Sequence, residues 1–296
     1  MEQTVLERPA FAQIKREMKR EHRRITLRRW ARNRLAITGF IILLGVFYMA
    51  VAAPAFYAEG PYATAPRERL QPPGAEHLLG TDNFGRDVLS RIAYGARISL
   101  GIGASVSAAA LVLGMIVGLY ASYYRRIDNV LMRICDGLTA IPAMLLTIAF
   151  MAVLGSGTTN VILSLAIVYT PSIARIARAS ALSVKEQTYI EAIRAIGAKP
   201  ARIIWLHIAP NVLSPVIVQA SFIFASAIIT EAALSFLGVG VPVPIPSWGN
   251  ILYEGKAVIH KAWWMVSFPG IVTALSVLGL NLIGDGLRDA LDPYAK

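Results

Sequence analysis

Apolar residues gather along this chain in runs that exclude Asp, Glu, Lys and Arg for longer than a soluble helix requires. A helix that crosses a bilayer needs about 20 mostly apolar residues, because the hydrocarbon core is roughly 30 Å thick and a helix rises about 1.5 Å per residue. Residues 35–58 and 98–124 are each long enough to cross once. Residues 137–174 form one uncharged run, about twice what a single span uses, so the chain must fold back inside it. Leu154-Gly155-Ser156-Gly157-Thr158-Thr159-Asn160 carries turn chemistry and divides the run into spans near 138–154 and 161–173. A fifth span begins near Val212, passes through Glu231 and ends about Leu237, before Pro242, Pro244 and Pro246 stop helix continuation. A sixth occupies 262–284. The pattern predicts an all-α, polytopic integral membrane protein with six transmembrane helices.

Orientation follows from the basic residues, which are in excess in cytoplasmic loops. With an inside N-terminus, 22 of the 29 Lys and Arg fall in segments on the cytoplasmic side and 7 outside, which predicts that both termini are cytoplasmic. The expected organisation is a basic cytoplasmic arm (1–34), a first span (35–56), an extracytoplasmic loop (57–97), a five-helix core (98–285) that carries a cytoplasmic loop at 183–211, and a cytoplasmic tail (286–296).

Composition supports this picture. Hydrophobic residues make up 55% and charged residues 16% of 296, against about 25% charged in soluble domains, and mean hydropathy is +0.54; a compact cytosolic enzyme is the poorer reading. The net charge of +11 suits nucleic acid or an anionic membrane surface, and the hydrophobicity selects membrane lipid, not nucleic acid. In the arm, Lys15 to Arg34 reads as a basic surface helix on anionic lipid, where each cation contributes about 1 kcal/mol. The arm and Val51-Ala52-Ala53-Pro54-Ala55 have the outline of a signal peptide, but the apolar run exceeds the typical roughly 7–15 residues, so an uncleaved anchor is expected. A single Cys135 and four dispersed histidines predict no metal site, no cofactor and no catalytic centre.

Two loops are long enough to carry function. The outer loop holds Gly80-Thr81-Asp82 and Gly85-Arg86-Asp87; the glycines permit tight turns, and Asp82, Arg86 and Asp87 are placed to pair. Residues 88–94 fit an amphipathic interfacial helix. The loop can serve as a structural collar or as a contact for solute or a docking protein. In the cytoplasmic loop, Ser183-Val184-Lys185-Glu186 has capping-box spacing, predicting a helix that runs from there to about Ile196. Gly197 is suited to end it in a left-handed conformation, and Pro200 to open a second helix. Ile190, Ile193 and Ile196 share a face flanked by Glu191 and Arg194, a projection suited either to a groove on another protein or to its own bundle.

The stretch Glu191-Ala192-Ile193-Arg194-Ala195-Ile196-Gly197, followed by Ile208-Ala209-Pro210-Asn211, resembles the EAA loop of ATP-binding-cassette importer permeases. The two outer-loop motifs, Gly95-Ala96-Arg97, Pro246-Ser247-Trp248-Gly249 and the segment from Gly284 to Pro293 narrow the resemblance to the second permease subunit of dipeptide and oligopeptide importers, from about Leu35 to Pro293. Ile193 stands where the family has a small residue, and Ala209 where it has leucine. The resemblance implies a type I ABC importer transmembrane fold and a five-chain assembly: this subunit, a homologous second permease, two ABC ATPase subunits and an extracytoplasmic solute-binding protein. It implies that Glu191, Ala192, Arg194, Gly197, Ile208, Pro210 and Asn211 dock on the ATPase. No Gly-x-x-x-x-Gly-Lys-Ser/Thr loop occurs in the sequence, so ATP hydrolysis is expected on the partners. The solute implied is a di- or oligopeptide, with a metal complex or other solute as the alternative.

Other residues carry smaller expectations. Glu231 interrupts the fifth span, which marks it as a candidate pathway residue, although its place near the outer end suggests an interface. Trp248, Trp263 and Trp264 fit an outer aromatic belt. Gly114-x-x-x-Gly118 suits close helix approach, here expected against the partner permease. A secondary transporter would need paired intramembrane charges near the midplane, and only Glu231 comes near that; a membrane-embedded enzyme would need a catalytic cluster that is absent from the sequence.

Overall fold

The computed structural model describes residues 33–56 and 60–291. The basic arm (1–32) and the end of the tail (292–296) lie outside the described residues. Besides a short 3-10 turn at Pro66–Glu68, the described residues form nine helices: α1 (Arg34–Phe56), α2 (Val88–Tyr123), α3 (Arg125–Ala140), α4 (Ala143–Leu154), α5 (Thr158–Lys185), α6 (Thr188–Ala195), α7 (Pro200–Phe236), α8 (Trp248–Lys256) and α9 (Trp264–Leu291). The described residues hold no strand, only one antiparallel bridge between Thr81 and Asp87. Helices α1, α2, α5, α7 and α9 are long and apolar enough to cross a membrane, and the bent pair α3 and α4 makes a sixth if it counts as one span.

Three helices run past the spans expected of them. Residues 88–94 are not a separate interfacial helix: they form the first turns of α2, which continues unbroken for 36 residues. Asp87 caps it, its carboxylate accepting from the Ser90 amide at 2.7 Å. Helix α5 continues to Lys185, so the expected capping box does not form. Ser183 lies inside this alanine-rich helix, its hydroxyl donating back to the Ala179 carbonyl at 3.4 Å, and α6 opens later at Gln187 without a side-chain cap. Helix α9 runs through Leu291 and takes in the start of the expected tail.

The third span departs most from expectation. Instead of one straight helix at 138–154, α3 and α4 meet at 95°. Pro142 disfavours helix at the residue before it, and Ile141 is extended, at φ −98 and ψ 133. The apolar helix that remains, α4, has 12 residues, about 18 Å, too short to cross alone. The turn at Gly155 to Gly157 falls where the sequence places it.

Helices α1 and α7 run from one end of the bundle to the other and α2, α5 and α9 run back, so that α2 and α5 pack parallel, Gly114 against Ile173 and Gly118 against Ala177. One end of the bundle carries the 80–87 loop and α8, here called the collar end; the other carries Lys185, α6 and Arg202, the basic end. Close approach of α2 and α5 depends on Gly114 and Gly118. A Cβ at Gly114 would stand 2.5 Å from the Ile173 Cβ, and one at Gly118 would stand 2.6 Å from the Ala177 Cβ. The Gly-x-x-x-Gly pattern therefore serves contact within the subunit, not the partner contact expected of it. Ile102, Leu165, Ile173, Ile204 and Val216 join α2, α5 and α7 in one buried cluster, while Ile92, Ile228, Trp248 and Met265 form a second at the collar end. Leu44, Val112, Ile167, Ile217 and Leu275 are exposed, an apolar exterior that suits lipid.

Within α7, residues Ile203–Ile208 form a π-helical stretch. Pro210 cannot donate to the preceding turn and its ring crowds the carbonyl four residues back; widening the helix relieves both, and the Ala209 amide reaches the Ile204 carbonyl instead.

Candidate functional site

The collar end is organised by ionic side chains removed from solvent. Asp82 is fully buried, Arg86 5% exposed and Arg91 1% exposed. Asp82 Oδ1 accepts from the amides of Phe84 at 2.7 Å and Arg86 at 3.0 Å, which folds the chain into a tight turn. Its Oδ2 receives Arg86 Nε at 2.6 Å and Arg91 Nη1 at 2.9 Å. Glu254 on α8 completes the group, accepting from Arg86 Nη2 at 2.7 Å and from Arg91 Nη1. Two guanidinium groups and two carboxylates balance in charge, the condition under which such groups tolerate burial.

The expected pairing of Asp82 with Arg86 is present. Asp87 is not part of it, being occupied with the α2 cap and with His77, whose Nδ1 lies 2.9 Å away. Thr81 ties the loop together: its hydroxyl donates to the Glu68 carbonyl and accepts from the Gln71 amide at 2.8 Å. Gly80 and Gly85 have φ of +78 and +74, the turns that glycine permits. Sequence reasoning missed Arg91 and Glu254. Arg91 shares the Arg86 side of the network, but Glu254 is contributed by a short helix that no pattern announced.

Two tryptophans assigned to an aromatic belt are structural here. Trp248 is fully buried and its indole donates to the Ile92 carbonyl at 3.1 Å; Trp264, 4% exposed, donates to the Thr81 carbonyl at 3.1 Å. Of the three expected in the belt, Trp263 alone is exposed. Glu231 is likewise enclosed by protein. It is fully buried, accepting from Ser235 Oγ at 2.8 Å and Ser99 Oγ at 3.1 Å. Ser99 in turn accepts from the Trp248 amide at 3.2 Å, and Ser235 from the Val241 amide at 3.1 Å. The carboxylate thus pins α2, α7 and the proline-bearing 237–247 connection, and its oxygens face protein.

His77 titrates in this collar. Hydrogen bonding to Asp87, with a second bond to Glu68 at 3.2 Å and both negative charges, raises its pKa from the ordinary 6.5 against a smaller desolvation effect. Because the folded value is the higher one, the charged imidazolium stabilises the fold fully below the unfolded value, and that contribution fades as pH rises through the folded value. The melting temperature of the detergent-extracted protein should therefore fall between about pH 5.5 and about pH 8.5 by more in the wild type than in His77→Gln. Equal slopes in the two proteins would show that the pair carries no linkage.

At the basic end, α6 and the start of α7 form the second candidate surface. Helix α6 ends at Gly197, whose φ of +83 lets its amide reach the Arg194 carbonyl at 3.0 Å and the Ala198 amide reach the Ile193 carbonyl at 3.3 Å. Glu191, Ala192, Arg194 and Gly197 are exposed, as are Pro210 and Asn211, whereas Ile208 is fully buried beneath them. The isoleucine face divides: Ile190 is fully buried in the subunit's own core, Ile193 packs against that core, and Ile196 is 84% exposed. Asn211 Nδ2 donates to the Tyr189 hydroxyl at 3.3 Å and the His207 carbonyl at 2.7 Å, joining α6 to α7. Arg194 lies over the Tyr123 ring at 5.9 Å. Between the two helices runs a groove lined by Ile193, Ile196, Gly197, Lys199, Arg202 and His207. An apolar and cationic lining suits an apolar projection that carries acidic neighbours.

A bundle of helices with apolar outer faces, an ordered collar at one end and an exposed projection at the other has the form of a polytopic membrane protein. The family model described as the binding-protein-dependent transport system inner membrane component matches residues 110–296, and the N-terminal transmembrane domain of oligopeptide transport permease C matches residues 23–73. The chain belongs to this family of ABC importer permeases. It is 50% identical over 272 residues to a putative peptide transport system permease protein of Brucella abortus, covering 92% of each chain. It is 47% identical over 266 residues to the dipeptide transport system permease protein of Alkalihalophilus pseudofirmus, covering 90% of this chain and 88% of that one. An inward-facing structure of the MetNI methionine ABC transporter matches with a TM-score of 0.57 at 20% identity, covering 68% of this chain and 97% of that chain; that likeness concerns the fold alone.

Proposed function

We propose that this chain pairs with a homologous second permease to form the membrane path of an ATP-driven importer of di- or oligopeptides, with the collar end outside and the basic end in the cytoplasm. The observation that carries the reading is the projection at the basic end. Helix α6 is held to the bundle by Ile190 and to α7 by Asn211, yet leaves Glu191, Ala192, Arg194 and Ile196 exposed. A self-contained transporter has no use for such a surface, and an ATPase that must pull on the membrane helices does. The excess of basic residues at this end supports its cytoplasmic placement. The relatives' names support the peptide as solute.

In this reading two ATPase subunits each grip one permease, and an extracytoplasmic binding protein delivers the solute at the collar. Closure of the ATPase pair on ATP moves α6. Since α7 is helical from Pro200 to Phe236, a push at α6 is delivered to the collar end as a rigid-body displacement. The chain's own contribution is mechanical: it holds the path and transmits the stroke.

The test is affinity purification from native membranes in mild detergent, with mass identification of the bound chains and ATP-dependent uptake of labelled dipeptide after reconstitution. A second permease, two ATPase chains and peptide uptake are expected. Recovery of the chain alone, in detergent shown to preserve another membrane complex, would overturn the reading.

A further inference from the structure

Polar side chains of two spans face each other along the seam between α5 and α7. On α5, Leu163 and Ile167 are exposed one turn apart, while Tyr169 and Ser172 lie on the opposite face and are half-buried. On α7, Leu213 and Ile217 are exposed, whereas Gln219, Ser226 and Thr230 share another face at helical spacing and are half-buried. The two polar faces meet. The Tyr169 hydroxyl and Thr230 Oγ1 are 2.8 Å apart, Tyr169 also reaches the Ser226 carbonyl at 3.4 Å, and Gln219 Nε2 donates to Ser172 Oγ at 2.9 Å.

These bonds leave capacity unspent: the Gln219 amide oxygen and the Ser172 hydroxyl proton have no partner among the described residues. Such groups are poorly placed against hydrocarbon, where nothing can satisfy them. Below Gln219 the seam widens toward the basic end into an open cavity of about 490 Å³ between α5, α7 and α9, bounded by Gln219, Phe222, Ser214 and Arg288. Arg288 is exposed and has no ion-pair partner among the described residues.

We infer that the α5–α7 seam is one wall of the solute path, in which Tyr169, Thr230, Ser172 and Gln219 offer successive neutral hydrogen-bonding groups to a peptide backbone, and Arg288 draws its terminal carboxylate out at the basic end. The inference rests on the peptide-importer reading and adds the residues that meet the solute. Neutral groups suit this task. A peptide bond offers one N–H and one C=O, so amide and hydroxyl side chains replace its hydration along the way without the deep trap that a fixed charge in a span would create. The wall is also indifferent to peptide sequence, because it reads only what every peptide shares.

The test is thiol accessibility in the full assembly. In a Cys135→Ala background, Ser172→Cys and Ser226→Cys, with the lipid-facing controls Ile167→Cys and Ile217→Cys, are treated with a permanently charged, membrane-impermeant methanethiosulfonate reagent. A thiol in hydrocarbon stays protonated and unreactive, so the seam positions should label at least about tenfold faster than the controls. Labelling should slow when dipeptide-loaded binding protein and ATP are added. Rates as slow as those of the controls, both without nucleotide and with trapped ATP, would overturn the inference by placing the seam against lipid or sealed against the second permease. Peptide uptake by the Cys135→Ala background separates the two levels. Slow labelling in an assembly that takes up peptide overturns the wall alone, whereas fast labelling in an assembly that takes up none overturns the peptide as the solute.

Discussion

Arg91→Leu should destabilise the protein by about 3–5 kcal/mol, the usual cost of removing one partner from a buried ion pair, enough to strip most of it from the membrane. Arg91 is 1% exposed and bonds both Asp82 and Glu254. Leucine would leave two carboxylates in the collar with Arg86 as their only counter-charge. The penalty comes from the abandoned acids more than from the lost bonds. Adding Glu254→Gln to Arg91→Leu should therefore recover part of the loss, and Arg91→Lys should recover less than charge alone would suggest, because an ammonium cannot reproduce a planar fork spanning two acids. The same chemistry at the surface sets the scale. Arg175 meets Asp136 at 3.1 Å with side chains 47% and 63% exposed, and Arg175→Ala should cost no more than about 1 kcal/mol. Membrane accumulation and the melting temperature of the extracted assembly read both effects. Equal losses for the two substitutions would show that burial does not strengthen the collar network.

The contrast explains which parts of this molecule can be read along the chain. Five spans are visible because the signal that makes them, about 20 consecutive apolar residues, is local. The Asp82–Arg86 pair is local too, four residues apart inside one glycine-bounded turn. Its partner Glu254 is 163 residues from Arg91, on a nine-residue helix that follows a run of prolines. Nothing near it in sequence marks it as buried. Glu231 shows the same limit from the other side: its place near the end of α7 is legible, but the groups that enclose it, Ser99 and the chain after Ser235, come from elsewhere in the sequence. The Ser183 motif misleads for a different reason. Capping-box spacing permits a cap but does not break a helix, and the alanine-bearing run before it propagates through. Gly197 and the turn at Gly155 to Gly157 are legible because each answers a backbone demand that few other residues meet. The polar face of α5 and α7 is invisible in single spans, since Tyr169, Ser172, Gln219 and Thr230 are scattered among apolar neighbours until two helices align them.

Gly197→Asp should abolish ATP-dependent uptake, by about 100-fold or more, while the protein still inserts. The expected change in folding is small. Gly197 is exposed, nothing lies within 4 Å of a Cβ built on it, and its φ is +83. A side chain there costs about 1–2 kcal/mol in left-handed strain, and a negative charge at the C-terminal end of α6 adds roughly 0.3–1 kcal/mol. Both remain below the several kcal/mol by which folded proteins usually exceed their unfolded state. The loss instead arises at the surface. Gly197 lies on the groove between Ile196, Lys199 and Arg202, so aspartate there both obstructs the groove and cancels part of its positive charge. A hundredfold loss needs only about 2.7 kcal/mol of weakened docking. Gly197→Ala carries the backbone strain without the bulk or the charge and should retain most uptake. Co-purification of the ATPase with each variant, beside uptake in vesicles, separates the effects: the aspartate variant should reach the membrane without its ATPase, and the alanine variant with it. Wild-type uptake by Gly197→Asp would remove α6 as the point of coupling, while equal failure of both variants would show that the left-handed turn, and not the groove, carries the function.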